Sequence, residues 1–207
     1  MATKKVAQSK AEKITAAVAA DKAKTKIAAA QVYNDIMLDL ETLSTDTDGA
    51  IVSIGAVRFN ENSIDDNSFY RVITIQSNID EGRTISGSTL KWWLSQDAKA
   101  KAMFQDETAV SLGQALDEFR DWVGADAKTA RVWGNGADFD NAMVKHAYAN
   151  QGAPWEFYNS RCFRTIKELP AAKKVPKPAN AGAHNALFDA YAQAQHLQLI
   201  WAAGVGK

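Results

Sequence analysis

The sequence predicts an α/β domain that opens with an antiparallel meander of three strands and continues as helices interspersed with further short strands. Three observations carry this. Ile36 to Leu40, Ile51 to Phe59 and Ser68 to Ile75 are short runs rich in apolar and β-branched residues, joined only by polar Ser/Thr/Asp/Asn/Gly stretches. Connections that short join strands that reverse direction. Beyond them the apolar spacing turns helical, with Leu112, Ala115, Leu116, Phe119, Trp122 and Val123 forming one stripe. Finally, Arg131-Val132-Trp133 runs through a Gly-rich turn into a helix, and α/β folds place their sites at such strand ends.

At 207 residues the chain can bury a sizeable core, and a hydrophobic content of 46% with 23% charged residues excludes a largely disordered protein. No apolar run approaches the roughly 20 residues that cross a bilayer, and the N-terminus lacks a hydrophobic signal core. The expectation is a cytoplasmic protein with no membrane partner. Cys162 is the only cysteine, which excludes an intrachain disulfide and a Cys-based zinc site. The net charge of zero conceals an asymmetry: residues 1–30 carry seven Lys against Glu12 and Asp21, a net of +5, leaving −5 on the remainder. If the main domain handles a polyanion, metal ions and local Lys or Arg must offset repulsion.

The chain therefore divides into a Lys/Ala-rich helix or flexible arm over residues 1–30 and a main domain over 31–207. The arm has high helix propensity but few large apolar side chains. It reads as a solvated tail or docking segment for a protein, or as a basic arm that helps hold nucleic acid. After the three strands, Ser88 to Leu94 begins a helix with adjacent tryptophans, Trp92 and Trp93, of which one is expected in the core and the other exposed. Core packing explains such a pair more simply than base stacking. The helix over Ser111 to Val123 should pack on the sheet. The fourth strand ends in Gly134-Asn135-Gly136-Ala137-Asp138-Phe139-Asp140, followed by a helix from Asn141 to Ala149. Phe157 to Cys162 reads as a fifth strand, then a short helix to Leu169. Lys173 to Pro178 is an exposed loop, and a last helix runs from Ala186 to Ala202 with Ala190, Ala194, Leu197 and Trp201 on one stripe.

Within the first strand, Asp39 and Glu41 stand out. Strand alternation puts them on one face, where an ionised pair without water needs a cation or tight hydrogen bonds. A hard divalent cation bound through oxygens suits that spot, although the same acids at an exposed strand end would need no metal. The rest of the chain has to supply the other ligands. Asp140 after the fourth strand, and His184 with Asp189 at the last helix, are the candidates.

The order of these residues resembles the DEDDh superfamily of 3′-to-5′ exonucleases. Asp39-Leu40-Glu41-Thr42 matches the first motif, Asn135 through Asp140 the second (Asn-x-x-x-Phe-Asp), and His184 through Asp189 the third (His-x-x-x-x-Asp). The resemblance covers residues 33 to 203, and the Trp92-Trp93 pair with the Trp133-to-Asn141 run looks most like the phage exonuclease A (DexA) branch. It implies an RNase H-like fold, with a mixed central sheet of the antiparallel meander plus parallel strands, and helices on both sides. Asp138 competes with Asp140 for the second-motif position; the family pattern, with its ligand directly after the aromatic, favours Asp140.

By this resemblance Asp39, Glu41, Asp140 and Asp189 hold two divalent cations, Mg²⁺ or Mn²⁺, which suits oxygen ligands and a chain without a cysteine cluster. His184 is the expected general base, because imidazole titrates near neutrality. Glu41 would also hydrogen-bond a terminal 3′ hydroxyl. Thr42, Leu43, Asn135, Phe139 and Trp92 are the expected substrate contacts, Thr42 through its hydroxyl or backbone and Leu43 by packing on a base. His146 and His196 have no comparable setting and read as structural. The implied activity is a metal-dependent 3′-to-5′ exonuclease that releases nucleoside 5′-monophosphates from single-stranded DNA ends, in a host cytoplasm if phage-encoded. The alternatives are an exoribonuclease, a proofreading subunit, and a nucleic-acid-binding module that has lost catalysis.

Overall fold

The structure, a computed structural model, describes residues 32–180, 182 and 184–206. The arm expected over residues 1–30 lies outside them. Five strands, β1 (Asp35–Thr42), β2 (Ile51–Phe59), β3 (Phe69–Val72), β4 (Arg131–Gly134) and β5 (Ser160–Cys162), form one sheet in the order β3-β2-β1-β4-β5. β1 is central, antiparallel to β2 and parallel to β4. The predicted meander is therefore one half of a mixed sheet, and the parallel half is reached through helices.

Among the described residues six α-helices accompany it: α1 (Ile75–Asp80), α2 (Gly87–Ser95), α3 (Leu112–Val123), α4 (Ala142–Tyr148), α5 (Phe163–Lys167) and α6 (Ala186–Ala202). Alternation along β1 divides them between the two faces. Ile36, Leu38 and Leu40 pack with α3 and α4, whereas Met37 packs with Val57, Trp133 and the small-residue stripe of α6. Ser111 caps α3 by accepting from the Gln114 amide at 3.2 Å. Tyr148 Oη donates to the Leu116 carbonyl at 2.6 Å and ties α4 to α3. A third cluster under α2 joins Leu43, Val52, Val72 and Trp93.

Glycine matters most at residue 55. Gly55 pairs with Asp39 across β1 and β2, and a side chain there would overlap the backbone of Ala186 and Leu187. Its bare backbone lets the first turn of α6 lie directly on the sheet beside Asp39. At the other edge of β1, Arg131 and Trp133 both donate to the buried Asp35 carboxylate, at 2.7 Å from Arg131 Nε and 2.8 Å from Trp133 Nε1. That cluster fixes the β1–β4 register.

Two expected elements differ. The third strand stops at Val72 rather than Ile75, and α1 begins there instead. The reason is Asn78 on α1, whose amide accepts from Ile51 N and donates to Ile51 O, each at 2.9 Å, substituting for a neighbouring strand at the start of β2. The fifth strand is confined to Ser160–Cys162, because Phe157–Asn159 forms a 3-10 turn. Among the described residues no helix is long and apolar enough to cross a membrane.

Candidate active site

The first motif sits at the C-terminal end of β1, where Asp39 and Glu41 share the α6 face and are each 8% exposed. The second motif begins where β4 ends. Gly134 leaves room beside the sheet that a Cβ would take, 2.9 Å from the Asp140 Cβ and 3.0 Å from its Oδ2. A π turn, Ala137–Asn141, then carries Asp140 inward, with Asn141 Nδ2 donating to the Val132 carbonyl at 2.9 Å. Asp140 is thus held in a π turn within the Gly-rich stretch, and the regular helix begins at Ala142, one residue later than expected. Asp138, its competitor, is exposed, while Asp140 is 2% exposed.

The third motif precedes and opens α6. Asn185 caps the helix by accepting from the Leu187 and Phe188 amides, and it donates to Tyr70 Oη at 3.1 Å, which anchors the motif to β3. Asp189, in the first turn, accepts from the His184 backbone N at 2.9 Å and from Asn180 Nδ2 at 2.6 Å. Asp39, Glu41 and Asp189 each offer an oxygen, and these atoms lie within 4.8 Å of one another.

This crowding has an electrostatic signature. Desolvation, reinforced by Asp189 and Asp140, pushes Glu41 up to about 8. Desolvation also raises Asp39 well above the carboxylate range, with Asp140, Glu41 and Asp189 adding to it. Burial raises Asp140 to about 7, although the Asn135 and Leu40 amides oppose the shift. Asp189 is raised by burial as well. None of the four has a salt-bridge partner among the described residues, and Asp140 Oδ2 is buried without a hydrogen bond. Four carboxylates short of positive charge, with only oxygen donors, suit hard divalent cations.

His184 is half-buried and adopts a left-handed backbone conformation at φ 64°. Its ring stands edge-on to Trp92, with centroids 5.0 Å apart. Trp92 also lines a cleft of about 400 Å³ together with Glu41, Thr42, Ser88, Thr89 and Phe139. Trp92 is 42% exposed and Trp93 is 2% exposed, the division expected of the pair.

Several expected substrate contacts are occupied differently. Leu43 is 1% exposed and packs with Trp93 in the third core cluster. The Thr42 hydroxyl donates to the Ser44 carbonyl at 2.7 Å, and its own carbonyl accepts from Trp93 Nε1 at 2.8 Å. Asn135 Oδ1 accepts from Lys167 Nζ at 2.7 Å. The sequence reading missed Gln193, whose Nε2 donates to Asp39 Oδ1 at 2.6 Å. It stands four residues after Asp189, on the same helix face, a spacing that by itself does not name Asp39 as its partner. His146 meets Arg83 at 3.4 Å, and His196 is buried against Phe163.

A family model described as the 3′-5′ exoribonuclease Rv2179c-like domain matches residues 34–201. The chain belongs to this family. It is accordingly a hydrolase of the DEDDh 3′-to-5′ exonuclease superfamily, as the three motifs imply. Among solved structures, Exonuclease X in complex with 5′ overhanging duplex DNA is similar at 19% identity and a TM-score of 0.53, over 81% of this chain and 91% of that one. That likeness is one of fold and agrees with an RNase H-like architecture. The RNase domain of the yeast Pop2 protein matches at 11% identity and a TM-score of 0.45, over 83% of this chain and 75% of that one. No curated protein sequence matches. These matches support the superfamily and leave the phage exonuclease A branch suggested by the Trp92-Trp93 pair unconfirmed. In this Rv2179c-like chain the acidic cluster fits the use of divalent metal by such exonucleases.

Proposed function

We propose that this exonuclease removes nucleoside 5′-monophosphates one at a time from single-stranded 3′ ends, with Asp39, Glu41, Asp140 and Asp189 holding two Mg²⁺ or Mn²⁺ ions. The observation that carries the reading is the convergence of Asp39, Glu41 and Asp189 oxygens within 4.8 Å, from elements far apart in sequence. When bound, the ions supply Lewis-acid activation of the attacking water and neutralise charge on the leaving 3′ oxygen. A ring nitrogen of His184 takes the proton from that water as it attacks phosphorus. The bond to the penultimate 3′ oxygen then breaks, and that oxygen is protonated from solvent. Glu41 accepts a hydrogen bond from the terminal 3′ hydroxyl, which restricts attack to strand ends. Trp92 and Phe139 flank the terminal base in the cleft that they line with Glu41.

For the sugar, the family's description as an exoribonuclease favours RNA. Single-stranded DNA, favoured by the phage-like motifs, is the second reading. The phosphate chemistry is common to both, and discrimination rests on contacts to the 2′ position. The basic arm remains proposed as a docking segment for protein or nucleic acid; a pull-down comparing the full chain with residues 31–207 tests it.

The deciding experiment follows labelled RNA, single-stranded DNA and duplex DNA with and without Mn²⁺. Shortening from the 3′ end with release of 5′-monophosphates is expected, abolished by chelation and by Asp39→Asn, and strongly reduced by His184→Ala. Near wild-type rates in either variant overturn the assignment.

A further inference from the structure

The basic residues of the main domain are concentrated beside the second motif. Between residues 161 and 177 stand Arg161, Arg164, Lys167, Lys173, Lys174 and Lys177 against Glu168 alone, a net of +5, while the rest of residues 31–207 carries −10. The fold brings this segment back onto the turn after β4. The Arg164 guanidinium lies 3.2 Å from where a Gly136 Cβ would stand, and Lys167 reaches the Asn135 side chain. Lys177 lies near enough to act on Lys167, whose ammonium is held below the usual lysine range by desolvation first, then by Arg164 and Lys177.

These cations are poorly compensated from within. Glu168 is engaged by Lys173 at 2.8 Å, and Arg164 has no salt bridge among the described residues. Asp138, 3.2 Å from the same point above Gly136, is exposed to water, and Arg164 also acts on the buried Asp140 without forming an ion pair with it. Like charges collected at the surface of an otherwise acidic domain suit an external polyanion.

Sheet order gives this patch a direction. The cleft is lined by Trp92 of α2, Glu41 of β1 and Phe139 of the turn after β4, whereas Arg164, Lys167 and Lys177 follow β5, the edge strand beyond β4. Glu41 itself lines the cleft, and Phe139, next to Asp140 on the turn after β4, closes its other side toward the basic segment. With the terminal nucleoside in the cleft, the remainder of the strand leaves past Phe139 toward the basic edge.

We propose that Arg164, Lys167 and Lys177 form a track for backbone phosphates of the strand 5′ to the bond being cut, so that longer strands are gripped more tightly than dinucleotides. This rests on the exonuclease reading above. The track reads phosphate, so RNA and DNA should both use it.

The test measures binding and turnover separately. Binding is read as fluorescence anisotropy of a phosphorothioate strand of about twenty nucleotides; Lys177→Glu should weaken it about five-fold and lower the salt slope by about 0.7 for each phosphate no longer neutralised. Lys177→Arg should bind as wild type. In turnover, KM for the long strand should rise while hydrolysis of a dinucleotide stays within two-fold. Equal loss on both substrates, or unchanged binding and salt slope, overturns the track. If the wild type cleaves neither substrate, the exonuclease reading fails, and the anisotropy result still decides whether the patch binds the strand.

Discussion

Gln193, one turn beyond Asp189 on α6, donates its side-chain amide to Asp39 Oδ1 at 2.6 Å, so the last helix orients a carboxylate of the first strand. Its own Oε1 is buried without a partner. Groups that orient metal ligands typically contribute about 10–100-fold in metal affinity. Gln193→Leu is therefore expected to shift the Mn²⁺ midpoint for activity upward by that order, with activity recovered at saturating metal. An unmoved midpoint would show that the hydrogen bond only packs the helix.

Gly55→Ala tests the seating of α6. The added methyl would overlap the Ala186 and Leu187 backbone, which cannot yield as a flexible side chain would. The helix must lift from the sheet, at an expected cost of about 3 kcal/mol or more by urea denaturation. Gly87→Ala, at the first position of α2 with nothing within 4 Å of the new methyl, should be neutral or slightly stabilising. Similar losses at both positions would refute the close-contact explanation.

The metal-free protein should lose stability as pH rises. Glu41 is raised from 4.5 to about 8 and Asp140 from 3.8 to about 7, and Asp39 is raised too. Between the unfolded and folded values the native state binds more protons than the unfolded chain, so stability falls as pH climbs through that window. In chelator the melting temperature should be higher at about pH 5.5 than at about pH 8. Mn²⁺ should restore it at the higher pH, and Asp39→Asn should melt above wild type in chelator there. A metal-free melting temperature that rises with pH across this window would contradict the assigned burial.

The adjacent tryptophans should separate under substitution. Trp93 is 2% exposed, and its Nε1 holds the Thr42 carbonyl at 2.8 Å, so Trp93→Ala should cost about 3–5 kcal/mol in denaturation. Trp92→Ala should leave stability nearly intact and raise KM, because its exposed ring lines the cleft. A pure stability loss at Trp92 would remove it from the substrate contacts.

Much of the fold was legible because periodicity reports burial. β2 and α6 match their predicted limits, since each has an apolar pattern bounded by clear polar or capping residues. Ile75 reads as strand from the sequence because its side chain is apolar in either state, and the decisive contact, Asn78 to Ile51, spans 27 residues. In the site, motif spacing marked Asp39, Glu41, Asp140 and Asp189, which the fold brings into mutual electrostatic reach. Gln193 escaped because a lone amide on a helix carries no pattern until its partner strand is placed. The burial of Leu43 was hidden for a related reason: proximity in sequence to a motif does not say how exposed a side chain is.

His184 carries a side chain in a backbone conformation that glycine adopts without strain, at a typical cost of about 1–3 kcal/mol. A library selected only for thermal tolerance should therefore enrich glycine or asparagine at position 184. On the proposed mechanism those survivors would be sturdier and silent. Adaptation to heat and retention of turnover pull in opposite directions at this one position, and an engineered thermostable form would have to find its gains elsewhere in the chain.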